Sequence, residues 1–264
     1  MIAIEKFSFA PVSFFVAVHK NVPLPQPCQN YIVLGIGGYR PADYPFALTD
    51  EGGDSIAEKN KYYSELTGWY WLWKNLSNIK VVGLCHYRRY FILNGGTRFI
   101  FFRPRKKYFD PTPQNFKRIT SPENSIFVEK TLAKYEVIVP RRAPLGMSIS
   151  QYYKVCHVQE DWELFIRGIR ELYPEYSSEL EWFDKTNYMH VYNMMIAPKE
   201  FFDRYMSTLF ALLFWMEKQR PFRNDPYQCR VPAFLAERFF SFYLHVTGTR
   251  YAEVSVAISE PGVF

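Results

Sequence analysis

Glycine and cysteine are scarce in this 264-residue chain, at 13 and 4 residues, and familiar catalytic signatures are missing. No HExxH, GxSxG, Walker or GxGxxG pattern occurs, which removes the commonest metalloprotease, hydrolase and nucleotide-loop chemistries. Cys28, Cys85, Cys156 and Cys229 are widely spaced and form no CxxC pair, so neither a zinc site nor a disulfide scaffold is expected. They read as reduced core residues. No uncharged run is long enough to span a bilayer; Tyr205 to Met216 is bounded by Arg204 and Glu217. Phe7 to Val18 lacks charge, but Glu5 and Lys6 precede it, Pro11 interrupts it and no small-residue cleavage site follows. The expectation is a cytoplasmic chain without an export signal, soluble or peripheral at the inner face of the cytoplasmic membrane.

Aromatic side chains are abundant, with 20 Tyr, 24 Phe and 6 Trp making up 19% of residues. They suit a bulky core or a cleft that stacks planar or sugar-like ligands. Hydrophobic content of 48% and charged content of 22% exclude disordered, collagenous and coiled-coil classes. The net charge of +6 favours anionic partners, among them nucleic acid, anionic lipid and phosphorylated small molecules.

Periodicity gives an alternation of strands and helices. Ser13–Val18 reads as a strand ending at His19 and Lys20, and Tyr31–Leu34 as a strand before a glycine-rich turn. Residues 57–75 carry Leu66, Trp69, Tyr70 and Trp73 at helical spacing. Lys80–Cys85 is a buried strand running into His86-Tyr87-Arg88-Arg89-Tyr90, and Lys134–Pro140 another. Glu160–Tyr173, Glu200–Lys218 and residues 233–245 are helices, and His190–Ala197 is a short strand. Residues 98–118 look like a basic loop, part of an insertion over about 96–120. Without repeats or linkers, residues 1–264 read as a single α/β domain.

Ligands collect at the carboxyl ends of strands in open α/β sheets, so HYRRY is the sharpest feature. Its guanidiniums suit forked hydrogen bonds to phosphate or carboxylate; it reads equally as one structural ion pair with packed tyrosines. Alternation would send His86 and Arg88 to one side and Tyr87 and Arg89 to the other. Asp54 and Ser55 precede a helix as a plain N-cap would. His190 and Asn193, with Arg230, Glu237 and Arg238, form a third polar group, readable also as satisfied buried polar residues and a surface ion pair. No DxD occurs. Nucleotide-sugar chemistry would then require fixed cations in place of a metal held on carboxylates.

The block SIAEKNKYYSELTGWYWLWKN (Ser55–Asn75), followed by VVGLCHYRRYF (Val81–Phe91), resembles bacterial capsular-polysaccharide and O-antigen glycosyltransferases long listed as a domain of unknown function. Their pattern runs approximately NISEKNxxYCELTxxYWxWKN and then GLxHYRRYF. The similarity continues through VAVHK, KYEVIVP, HVYNMMIAPKEFFDRY and RVPAFLAERF. Ser55, Ser64 and Ala233 stand where the pattern has Asn, Cys and Gly.

The resemblance implies a GT-A-like nucleotide-diphospho-sugar transferase fold with a mixed, mostly parallel sheet flanked by helices. It implies hexosyl transfer from a UDP-sugar, galactose favoured, to a lipid-linked or oligosaccharide acceptor in surface-polysaccharide synthesis. His19, Lys20, Lys59, Asn60, Glu65, Arg88 and Arg89 would bind the donor, and His190, Asn193, Arg230 and Arg238 the acceptor. Glu237 is the first choice of catalytic base and Asp54 the second, with His86 beside the leaving diphosphate. No cofactor is required on this reading; Mn or Mg is not expected. The basic segment 98–118 would meet an anionic membrane surface. The contrasting reading is a noncatalytic nucleic-acid or anionic-glycan binding module. Its basic residues would have to track a groove; they cluster in one segment, so no nucleic-acid partner is expected.

Overall fold

The computed structural model describes residues 9–28, 30–42, 44, 47–93 and 105–260. Its elements run β1 (Val12–Val18), β2 (Tyr31–Gly35), β3 (Leu48–Thr49), α1 (Asn60–Tyr63), α2 (Leu66–Asn75), β4 (Val81–His86), β5 (Arg89–Ile92) and β6 (Lys106–Phe109). Next come α3 (Pro113–Ile119), α4 (Asn124–Leu132), β7 (Val137–Pro140), β8 (Ala143–Pro144), α5 (Ile149–Cys156), α6 (Gln159–Leu172) and α7 (Leu180–Lys185). The chain then forms β9 (Tyr188–Met189), β10 (Ile196–Pro198), α8 (Lys199–Gln219), α9 (Val231–Val246) and β11 (Tyr251–Ser259).

β1 is wholly buried and pairs in parallel with β2 and β4. Its continuous apolar sequence VSFFVAV is what a strand covered on both faces requires. β3 extends the parallel group beside β2. Beyond β4 the sheet becomes mixed: β5 and β10 both pair antiparallel with β4, and β11 joins β5, β6 and β7. The path β4-β5-β11-β7-β10 returns to β4, so the sheet is mixed and folds back on itself there. The all-parallel group is β3-β2-β1-β4.

Successive β1 side chains enter different cores. Phe15 and Ala17 pack with Trp69, Phe202 and Phe239 under α2, α8 and α9, whereas Phe14, Val16 and Val18 meet Phe116, Val128 and Tyr90 on the other face. The stripe Phe202, Met206, Leu209, Leu213 and Met216 of α8 is buried throughout, as its 3.6-residue period predicts. Helices thus cover both faces and leave the carboxyl ends of β1, β2 and β4 to loops.

Several sequence expectations change. Residues 57–75 are not one helix: a short 3-10 turn and α1 are separated from α2 at Ser64, whose φ is +49°. The Ser64 carbonyl accepts from Asn60 Nδ2 at 2.8 Å and from the Thr67 amide at 3.3 Å. His190–Ala197 is not one strand, because Tyr192 and Asn193 make a turn at φ +83° and +48° between β9 and β10. His86 and Arg89 are register partners across a hairpin, so alternation along one strand does not govern HYRRY. Residues 106–109 and 113–119 are strand and helix instead of loop, while Arg98 and Arg103 lie outside the described residues. Cys28 is exposed and Cys156 half-buried, leaving only Cys85 and Cys229 in the core. No helix among the described residues is long and apolar enough to cross a membrane.

Candidate functional site

Three parallel strands deliver polar groups to one end of the sheet. After β2 the chain turns through Gly37 and Gly38, both at positive φ, a conformation that costs glycine little. Their amides donate to Asp50 Oδ2 at 2.8 Å and Oδ1 at 3.1 Å, and Thr67 Oγ1 of α2 donates to Oδ2 at 2.6 Å. Asp50 has no exposed surface, so its carboxylate ties the β2 loop to α2 from inside. Asn60 braces the same place; a Cβ on Gly37 would sit 2.8 Å from Asn60 Cγ.

Beyond β1 and β4 the cations gather around Tyr87. Its ring is met edge-on by His19, with centroids 5.3 Å apart, and lies 5.7 Å from Lys20 Nζ and 5.3 Å from the Arg88 guanidinium carbon. Arg89 turns elsewhere and stacks on Tyr192 at 4.6 Å. Burial, helped by the Lys20 charge, lowers the His19 pKa below its ordinary value.

The Tyr192–Asn193 turn is the centre of the arrangement. Tyr192 N donates to Glu237 Oε1 at 2.8 Å, while its carbonyl accepts from His86 Nε2 at 2.5 Å. Asn193 Nδ2 donates to Glu65 Oε1 at 2.7 Å and to the Ala233 carbonyl at 3.1 Å. A left-handed tyrosine costs about 1–3 kcal/mol. Hydrogen bonds to charged groups contribute about 1.5–3 kcal/mol each, enough to offset it. Glu65 comes from the N-cap of α2, and the break at Ser64 is what directs that helix start toward the turn.

Burial raises the pKa of both Glu65 and Glu237. Hydrogen bonds from Asn193 and the Tyr192 amide, and the charges of Arg89, Arg230 and Arg238, partly restore their charged forms. Glu65 further raises Glu237 by like-charge repulsion. The result is a pair of coupled carboxyl groups of increased basicity, ringed by guanidiniums.

His86 behaves differently. Burial, then the Arg89 charge, lowers its pKa to about 3, so a neutral imidazole donates to Tyr192. Because the folded state disfavours the proton, stability is full above pH 6.5 and declines as pH falls toward about 3, by up to about 1.4 kcal/mol per pH unit. His86→Asn keeps a donor for the Tyr192 carbonyl, and its melting temperature should fall less steeply on acidification. His157, lowered to about 4, leaves a residual slope. Parallel wild-type and variant curves by scanning calorimetry would refute the assignment.

Other residues named from the sequence lie apart from this cluster. Asp54 accepts from Tyr70 Oη at 2.8 Å and faces Lys74 on the flank of α2. Lys59 Nζ is engaged by Glu217 of α8 at 2.9 Å. His190 is 2% exposed and lies behind the turn, with Ser241 Oγ 2.7 Å from its amide and Glu253 Oε1 3.4 Å from Nε2. Asp50, Tyr87 and Tyr192 were not singled out by sequence reasoning. Gly37-Gly38 was the one visible hint of the first; nothing local signals a left-handed tyrosine.

Among the described residues, no group of three or more His, Cys, Asp or Glu side chains is placed to hold a metal ion. A search of curated proteins returns no match. Among solved structures, the fold is similar to the apo structure of the bifunctional glycosyltransferase WbbM, with a TM-score of 0.81 at 22% sequence identity over 96% of this chain. The chain spans about half, 46%, of that protein's length. Residues 13–248 match the family model described as domain of unknown function DUF4422, and the chain belongs to that family.

Proposed function

We propose that the protein is a glycosyltransferase of GT-A-like fold, its residues 1–264 one catalytic domain, moving a hexosyl unit from a UDP-sugar to a glycan acceptor. The observation that carries the reading is the Tyr192–Asn193 turn held between two basic carboxylates, Glu65 and Glu237, beside the cations at the ends of β1 and β4. The fold it shares with WbbM supports the same class of reaction.

Lys20 and Arg88, splayed around Tyr87, bind the donor diphosphate, with His19 beside them. The Gly37-Gly38 loop, fixed by Asp50 and Asn60, receives the nucleoside end. Glu237 accepts the proton of the acceptor hydroxyl as its oxygen bonds the anomeric carbon and the bond from that carbon to the diphosphate oxygen breaks. The electron pair leaves with UDP, whose growing charge Arg88 and Lys20 stabilise from fixed positions without a metal ion. The Arg89 charge favours the ionised forms of Glu65 and Glu237 and adds to the burial that keeps His86 neutral. Lys59 acts at one remove, bracing α1 against α8.

A galactosyl donor and a surface-polysaccharide acceptor, lipid-linked or oligosaccharide, are what the family resemblance favours. Exposed Lys107, Tyr108, Lys117 and Arg118 would suit contact with an anionic membrane, which is the support for a location at the inner face of the cytoplasmic membrane.

Calorimetric titration with UDP, UDP-galactose and UDP-glucose, in Mn²⁺ and in EDTA, tests this reading. Binding should persist in EDTA and weaken by about 10-fold or more in Arg88→Ala, the worth of one charge-assisted contact. Absence of nucleotide binding under every condition would overturn it.

A further inference from the structure

Next to Glu237 the structure builds a second surface of a different character. Arg230, the N-cap of α9, and Phe234, Glu237 and Arg238 within the helix recur at helical spacing and share a face. His157, just beyond α5, stacks on Phe234 with centroids 4.0 Å apart and planes at 24°. Tyr227 lies beside it, 5.2 Å from Phe234 with planes tilted by 41°, and is 51% exposed. The Arg230 guanidinium lies over both rings, at 4.6 Å from Tyr227 and 5.3 Å from Phe234.

The polar edges of this wall are incompletely used. Arg238 is 3% exposed, and its Nη1 donates to the Phe234 carbonyl at 2.8 Å. Its Nε is buried with no hydrogen-bond partner among the described residues, and so is Arg230 Nε. An unsatisfied buried donor is costly, and a ligand oxygen would relieve it. His157 donates from Nδ1 to Gln228 Oε1 at 3.1 Å, the tautomer that leaves Nε2 as an acceptor. Its ring stays neutral because burial and Arg238 lower its pKa to about 4.

We propose that Tyr227, Phe234 and His157, edged by Arg230 and Arg238, form the binding site for the terminal sugar of the glycan acceptor. A sugar ring presents an apolar C–H face to aromatic rings and hydroxyls at its rim to guanidinium and imidazole nitrogens. The wall runs from exposed Tyr227 to Glu237, so a sugar seated on it brings a hydroxyl toward the proposed base, on whose role in glycosyl transfer this assignment rests. The cations around Tyr87 are His19, Lys20 and Arg88, none of them part of this platform, and the nucleoside end is assigned to the Gly37-Gly38 loop. The platform therefore belongs to the acceptor and not to the nucleobase.

Saturation-transfer NMR with methyl β-galactopyranoside and lactose tests the site without requiring turnover. Ring C–H protons should receive saturation in the wild type and in Tyr227→Phe, and lose at least about 5-fold of it in Tyr227→Ala. UDP should not displace the sugar, and UDP affinity should stay within twofold in Tyr227→Ala. Unchanged or absent sugar signals, displacement by UDP, or a larger loss of UDP affinity would overturn the proposal. UDP binding without sugar binding would refute only this platform. Sugar binding without UDP binding would instead refute the transferase reading.

Discussion

Replacing Glu237 by glutamine should reduce glycosyl transfer by about 10²–10⁴-fold, the contribution of a positioned general base, with UDP affinity within twofold of the wild type. Glutamine keeps the volume and an oxygen that can accept from the Tyr192 amide, but it cannot take the acceptor proton. Burial lifts Glu237 above the ordinary carboxylate range, and Glu65 adds to the shift. In the wild type, kcat/KM should therefore rise with pH through a limb above pH 4.5, because the base must be ionised. Glu65→Gln removes the neighbouring negative charge and should move that limb to lower pH; Glu237→Gln should erase it. A glutamine variant that retains a tenth of the activity, or loses UDP binding together with activity, would sink the assignment.

The division of labour among the arginines shows why charge alone does not select the residues proposed to bind the diphosphate. Arg88 and Arg89 are adjacent in sequence, yet one joins Lys20 at Tyr87 and the other lies over Tyr192. Arg89 stabilises the ionised forms of Glu65 and Glu237 and destabilises a charged His86. One guanidinium thereby counters the burial that raises the two carboxyls and adds to the burial that keeps the nearby imidazole neutral. Neutralising it would disturb proton transfer before phosphate binding, the reverse of the expected order for Arg88.

Much of the fold was legible because its signals are local. The apolar run of β1 and the 3.6-residue stripe of α8 appear in the sequence almost to the residue. β11 is not legible as a strand: its first three residues, Tyr251 to Glu253, are only half-buried, so it does not begin as an apolar run, although Tyr251 to Val254 pair with β7 and the later residues with β5 and β6. The site divides in the same way. HYRR is contiguous and visible, whereas the bond from Asn193 to Glu65 joins residues 128 positions apart. The break at Ser64 is hidden for a related reason: the positions around it keep a helical pattern while the backbone leaves the helix. Positive φ at Tyr192 is a tertiary effect, enforced by Glu237 and His86 from other elements.

Asp50→Ala should be the most destabilising single change around the Gly37-Gly38 loop. Removing the carboxylate, which is wholly buried, takes the acceptor from two loop amides and leaves the Thr67 hydroxyl only the Ser64 carbonyl. Each unsatisfied donor costs about 1–3 kcal/mol, so the two amides together cost about 2–6 kcal/mol. For a chain of this size, that lowers the melting temperature by roughly 10 °C or more. Thr67→Val takes away one donor and leaves both loop amides satisfied, so it should cost only about 1 kcal/mol. Asp50→Asn should fall between them, since one carboxylate oxygen becomes an amide donor facing a donor. If the loop receives the nucleoside, UDP affinity should follow the same order: Thr67→Val near wild type, Asp50→Asn weaker, and Asp50→Ala weakest at a temperature where it remains folded. Equal melting temperatures for Asp50→Ala and Thr67→Val would show that the loop does not depend on the buried carboxylate. Graded stability with unchanged UDP affinity would instead separate the loop from donor binding.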